Sequence, residues 1–131
     1  MLPQLRAGAT ADQPSTVINI GSAGGSQVSP ATAFSYNTSK AALNYLTRKL
    51  ARLVAEDRIS VNTVAPGPVD AGLMKMQDEA FKSRVTAEIP FGRMTTVDEV
   101  ANATLFLASP AAAFITGAIL PVDGGVTGCM K

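Results

Sequence analysis

The hydrophobic pattern along the chain changes period several times. "TVINI" (Thr16–Ile20) is a short β-branched apolar run ending at Gly21, which predicts a strand buried on both faces. A polar, Gly- and Ser-rich stretch follows to about Ala33 and reads as loop. From about Ser35 to Ala55 the period becomes helical, with apolar residues at Leu43, Leu46, Leu50, Leu53 and Val54, spaced by threes and fours. "RISVNTVAPG" predicts a second strand at about Ile59–Ala65, stopped by Pro66-Gly67. Residues 68–95 are less regular, with a short helix at about Asp78–Ala87 and "IPFGR" as loop. Thr96 and Glu99 have capping-box spacing ahead of "VDEVANATLFLA", which predicts a helix to about Ser109, ended by Pro110. "GAILPVDGG" predicts a third strand, about Ala118–Val122, closed by a Gly-Gly turn.

This alternation of strands and helices predicts right-handed crossovers and a parallel α/β sheet. No internal repeat, low-complexity tract or interdomain linker interrupts it, so residues 1–131 read as one domain. Composition agrees with a globular core: 47% of residues are hydrophobic and 16% charged. The net charge of +1, with no basic cluster, argues against nucleic acid or an anionic membrane as partner. No apolar run has membrane-spanning length and the N-terminus has no signal-peptide core, so a cytoplasmic location is expected. The one cysteine, Cys129, excludes a disulfide framework within the chain. Histidine is absent, which removes His-based zinc sites and His-dependent triads, and no metal site is expected. Acid–base chemistry must come from Tyr, Lys, Asp or Glu.

Tyr-x-x-x-Lys spacing occurs twice, at Tyr36/Lys40 and Tyr45/Lys49. Residues i and i+4 share a helix face. Tyr45 and Lys49 lie on a polar stripe with Arg52 and Glu56, which reads as a solvated face or a subunit contact. Tyr36 and Lys40 extend the stripe through Leu43, Leu50 and Val54, expected to face the sheet. They also follow a loop at a strand's carboxyl end, where open α/β sheets bind ligands. A free phenol is a poor proton carrier near neutrality, and an adjacent ammonium stabilises its anion. Such a pair can move a proton to or from a carbonyl or alcohol oxygen. The plainer alternative is a packed tyrosine beside a lysine whose stem lies on it. Ser22, just past the first strand, either holds a substrate oxygen near Tyr36 or caps a turn.

"GSAGG" is not a phosphate loop, because about a dozen residues separate it from the next helix and G-x-G-x-x-G is absent. Its glycines let backbone approach something closely. Pro66-Gly67-Pro68 makes a rigid bend after the second strand. It either offers the backbone near Val69 to a planar ligand or simply ends the strand. Met74 and Met76 in "LMKMQDEAFKSRV" line an apolar pocket or fill core.

Together, Ser22, Tyr36-x-x-x-Lys40, "VNTVAPGPV", "IPFGR", "VDEVANATLFLAS" and "ITGAILPVDGG" resemble the short-chain dehydrogenase/reductase family in order and spacing over residues 16–125. Within that family the likeness is to the branch described as 3-oxoacyl-carrier-protein reductase-like, including rhamnolipid-pathway reductases. The resemblance implies the carboxyl-terminal half of a Rossmann-type doubly wound parallel sheet, with three parallel strands and crossover helices. It implies NAD or NADP as cofactor and hydride exchange with a small-molecule carbonyl/alcohol pair. Tyr36 matches the catalytic acid/base. Lys40 matches the lysine that tunes it and binds the nicotinamide ribose, and Ser22 the serine that holds the substrate oxygen. Pro66 and Gly67 match the bend beneath the nicotinamide, and Val69 the residue whose backbone meets the carboxamide.

The chain departs from that family at Ala71, where a hydroxyl residue is usual. It also departs in length, since the family's N-terminal dinucleotide-binding half is not in this sequence. Residues 1–15 then read as the remnant of a preceding helix and loop, and the NAD/NADP selector is not readable. The Thr16–Ile20 strand is expected to have an open edge, making the isolated chain unstable, aggregating or paired. A homo-oligomer, or association with a longer chain of the family, is the expected partnership, with a non-catalytic fragment or interaction module as the alternative function.

Overall fold

The structure is a computed structural model and describes residues 1–10, 12–28 and 33–129. The expected loop from Gly21 to Ala33 therefore includes residues 29–32, which lie outside the described residues. Strand β2 (Ile59–Pro66) forms the centre and is buried along almost its whole length. It pairs in parallel with β1 (Ser15–Ile20) on one side and β3 (Ile119–Val122) on the other, giving the sheet order β1-β2-β3. All three expected strands form, each within a residue or so of its expected limits.

Helix α2 (Phe34–Leu53) connects β1 to β2 and packs on one face of the sheet. Ala51 and Val54 meet Ile59 and Val61 there, with Val17, Leu50 and Leu5 of α1 (Leu2–Gly8) around them. After α3 (Glu79–Ala87), helix α4 (Val97–Ala108) covers the other face, where Leu107 packs with Val64 and Ala112. The alternation along β2 follows from strand geometry, since successive side chains point to opposite faces. With both faces covered, a continuous apolar and small-polar run is required.

The helix starts follow from local chemistry. Asp78 caps α3 by accepting from the Phe81 N–H at 2.7 Å. Thr96 and Glu99 form the expected capping box on α4, and Arg93 grips the Glu99 carboxylate at 2.6 and 3.0 Å. That guanidinium, with the Thr96 N–H, holds the Glu99 carboxyl down at about 2. A short 3-10 turn at Gly72–Met76 and a parallel bridge between Val69 and Thr95 were not expected from the irregular pattern of that region.

The α2 stripe expected to face the sheet does so at Leu50 and Val54, which pack in the core with Ala51. The fully buried residues of the helix are Asn44, Thr47 and Ala51, whereas Leu46 and Leu53 point outward, Leu53 being 72% exposed. The sheet dictates this. Asn19 and Thr63 present polar groups across from the helix, and Thr47 Oγ1 accepts from Asn19 Nδ2 at 2.9 Å and bonds Thr63 Oγ1 at 2.7 Å. A leucine there would leave both partners unsatisfied. The polar stripe of Tyr45, Lys49, Arg52 and Glu56 is exposed as expected. Among the described residues no helix is long and apolar enough to cross a membrane, and no cluster of His, Cys, Asp and Glu could hold a metal.

Candidate active site

Because the strands are parallel, β1 and β2 end at the same edge of the sheet, and the residues after both converge there. Gly21 continues the pairing by donating its N–H to the Val64 carbonyl at 2.7 Å. A Cβ at Gly21 would sit 2.5 Å from Thr63 Cγ2, so only glycine lets the chain leave the strand so close to β2. Ser22 follows in extended conformation, half-buried, with Oγ accepting from the Gly24 N–H at 3.1 Å. The turn-capping role of Ser22 is thus present, and among the described residues its own O–H proton has no acceptor.

Tyr36 lies in the first turn of α2 and is 51% exposed. Its stripe does not run wholly against the sheet as expected: Tyr36 stands out at the sheet edge, and the stripe turns inward from Lys40 onward. Lys40 Nζ donates to the Ile20 carbonyl at 2.9 Å and lies 5.7 Å from the centroid of the Tyr36 ring. The ammonium is therefore held between the last residue of β1 and the phenol ring rather than swung into solvent. An ammonium in that position favours any negative charge developing nearby.

After β2, Pro66 still pairs with Val122, and the Gly67 N–H donates to the Val122 carbonyl at 3.0 Å. A Cβ on Gly67 would meet the Cα and Cβ of Asp123 at 2.9 Å. The bend is needed for this internal contact in its own right. Val69 bridges to Thr95 through the Asp70 N–H and the Pro68 carbonyl, which turns the N–H of Val69 itself to the opposite side. Met74 is half-buried and Met76 exposed, and neither belongs to a buried core cluster.

Two polar groups at this edge escaped the sequence pattern. Asp123, buried in the turn after β3, accepts from the Gly125 and Thr127 N–H groups at 2.9 Å. Asn44, four residues beyond Lys40, is buried and donates to the Gly25 carbonyl at 3.2 Å and to Ser26 Oγ at 3.1 Å. The i+4 spacing from Lys40 was the available signal, but an asparagine within a helix ordinarily reads as a solvated residue.

The family model described as Enoyl-(acyl carrier protein) reductase matches residues 3–127. The rhamnolipids biosynthesis 3-oxoacyl-[acyl-carrier-protein] reductase of Pseudomonas aeruginosa is 39% identical over 127 residues, which is 95% of this chain and 50% of that protein. The galactitol 2-dehydrogenase (L-tagatose-forming) of Cereibacter sphaeroides is 44% identical over 115 residues, 85% of this chain and 45% of that protein. Among solved structures, the Pseudomonas aeruginosa RhlG/NADP active-site complex superposes with a TM-score of 0.91 at 38% identity, covering 96% of this chain and 50% of that one. The chain thus spans about half the length of the curated relatives it matches. Its three parallel strands and their helices correspond to part of the Rossmann-type sheet of these structures. On the family match and these relatives, the chain belongs to the short-chain dehydrogenase/reductase family of oxidoreductases.

Proposed function

We propose that this chain carries the proton-transfer and nicotinamide-facing part of an NAD(P)(H)-dependent oxidoreductase that interconverts a carbonyl and an alcohol. The observation that carries the proposal is Lys40 Nζ, fixed to the Ile20 carbonyl at 2.9 Å and 5.7 Å from the Tyr36 ring, at the sheet edge where Ser22 emerges. The donor set suits the nicotinamide end of the cofactor: an ammonium at Lys40, the Val69 N–H, which has no acceptor among the described residues, and the Pro66-Gly67 bend between them in the chain. No phosphate-binding glycine loop accompanies them among the described residues, so the pyrophosphate end has no counterpart there.

A nicotinamide held near Lys40 and Val69 would supply or accept the hydride at the substrate carbon. Tyr36 gives its phenolic proton to the carbonyl oxygen in reduction, or accepts it from the alcohol in oxidation. Lys40 stabilises the phenolate left behind. Ser22 donates its hydroxyl proton to the same substrate oxygen and holds it in reach of Tyr36. Both NAD and NADP fit this donor set, and the substrate is a small carbonyl compound. A cytoplasmic setting accords with the single cysteine.

A second proposal, a non-catalytic module that associates with another copy or with a longer chain of the family, draws on a different surface. Tyr45 is 70% and Leu53 72% exposed on the outer side of α2, and β1 has no partner on its outer side among the described residues. Calorimetric titration of the purified chain with NADH and NADPH separates the two. Heat of binding, with turnover lost in Tyr36→Phe, supports the enzyme. No heat with either nucleotide sinks it for this polypeptide, and co-purification with a longer homologue then supports the module.

A further inference from the structure

The turn that carries Ser22 is a closed hydrogen-bonded unit. Ser22 Oγ accepts from the Gly24 N–H at 3.1 Å, the Ser22 carbonyl from the Gly25 N–H at 3.0 Å, and the Ala23 carbonyl from the Ser26 N–H at 2.9 Å. Such a unit moves as one body unless something fixes it to the rest of the fold. The fixing contact is made by α2. Gly25 lies directly on the helix backbone: a Cβ there would be 2.6 Å from the carbonyl carbon of Lys40 and 2.9 Å from the Ala41 nitrogen. Asn44, one turn further on and 6% exposed, donates to both the Gly25 carbonyl and Ser26 Oγ. Its own Oδ1 is buried without a hydrogen-bond partner among the described residues. An apolar side chain would not leave that buried acceptor unpaired, so packing alone does not account for an amide here.

We propose that Asn44 is a positioning residue of the site: its carboxamide sets where Ser22 stands relative to Tyr36 and Lys40. Lys40 fixes the end of β1 through Ile20, and Asn44 fixes the turn beyond it, so the serine is held from both sides by one helix. The role assigned to Ser22 rests on the function proposed above, whereas the clamp itself is a property of the fold.

Amide hydrogen exchange on the full chain, labelled with 15N, tests it. Asn44→Leu keeps the branched outline and heavy-atom count of the side chain, though it is bulkier, and removes both hydrogen-bond donations. Protection of the Gly24, Gly25 and Ser26 amides is expected to fall at least tenfold, with shifted resonances at Ser22, while the Val61–Val64 amides of β2 keep theirs. Unchanged protection in the turn overturns the proposal. So does a fall shared equally by β2, which would mark Asn44 as a general stabiliser only. Should Asn44→Leu not fold, Ser26→Ala removes one acceptor at an exposed position. A several-fold loss confined to the same amides is then expected, and no loss overturns the proposal. Tyr36→Phe is run alongside. It should leave turn protection intact, so failure of the enzymatic role and failure of the clamp give different results.

Discussion

Lys40 Nζ donates to the main-chain carbonyl of Ile20 across 2.9 Å, joining the second turn of α2 to the last residue of β1. This single bond sets the ammonium beside the Tyr36 ring. A lysine in the second turn of an open helix would otherwise extend into water, where solvent and salt screen its charge.

Tyr36→Phe and Tyr45→Phe should therefore behave differently. Each removes only a hydroxyl from a ring at least half exposed, so both variants should melt within a degree or so of the parent. If the proposed function holds, loss of the Tyr36 hydroxyl should reduce NAD(P)H-dependent carbonyl reduction by about a hundredfold or more, the usual worth of a positioned proton donor. Tyr45→Phe should be silent in the same NADPH oxidation assay. Equal effects would show that the two faces of α2 are not distinguished.

Gly67→Ala should destabilise the chain by about 1–3 kcal/mol, the usual cost of forcing volume into packed structure. The added Cβ meets main-chain Cα of Asp123 at 2.9 Å, which cannot rotate away as a flexible side chain can. Urea denaturation of the two forms measures the difference, and a neutral result would show that the bend relaxes.

Asn62 is fully buried on β2, and its amide serves the segment leading into β3. It donates to the Ile115 carbonyl at 2.8 Å and accepts from the Ala118 N–H at 3.0 Å. Asn62→Ala leaves the Ile115 carbonyl and the Ala118 N–H, both in half-buried residues, without this partner, at about 1–3 kcal/mol for each group that stays shielded from water. The loss should appear as a lower urea midpoint with faster exchange of the Ile119 and Leu120 amides.

Acid should weaken α4 in a defined range. The Glu99 carboxyl, gripped by Arg93 and then by the Thr96 N–H, titrates at about 2 in the fold against 4.5 for the free group. A lowered folded value means that the unfolded chain binds its proton first as pH falls. The stability contributed by this contact is therefore complete above about pH 4.5 and is lost on going down toward pH 2. Thermal melts of the parent and of Glu99→Gln at stepped pH should converge across that interval. Parallel curves would remove the Arg93 contact from the account.

The open side of β1 should govern association. Its outer amides and carbonyls have no strand beside them among the described residues, and Ile20 at its end is 49% exposed. Sedimentation of the purified chain should reveal aggregates or a discrete oligomer, and Ile20→Lys should shift the population toward monomer, as charge does on natural sheet edges. A cooperative, high-midpoint melt from a monomer would contradict this.

Some of these features follow from local sequence alone. The order of strands and helices, the Thr96–Glu99 cap and the shared face of Tyr36 and Lys40 depend on neighbours a few residues apart. Backbone periodicity and hydrogen-bond reach decide such relationships wherever the segment later packs. Which face of α2 would be covered was a different matter. The stripe through Leu50 and Val54 does face the core, but the polar Asn44 and Thr47 buried beside it give no apolar signal. The fold takes them because Asn19 and Thr63 need Thr47 as hydrogen-bond partner and the Ser22 turn needs Asn44. The bridge from Val69 to Thr95, the seat of Gly67 on Asp123 and the hold of Asn44 on the Ser22 turn likewise join residues far apart in the chain. Periodicity tells which side chains stand together on one element; only the element laid against them determines whether water or protein is on the other side.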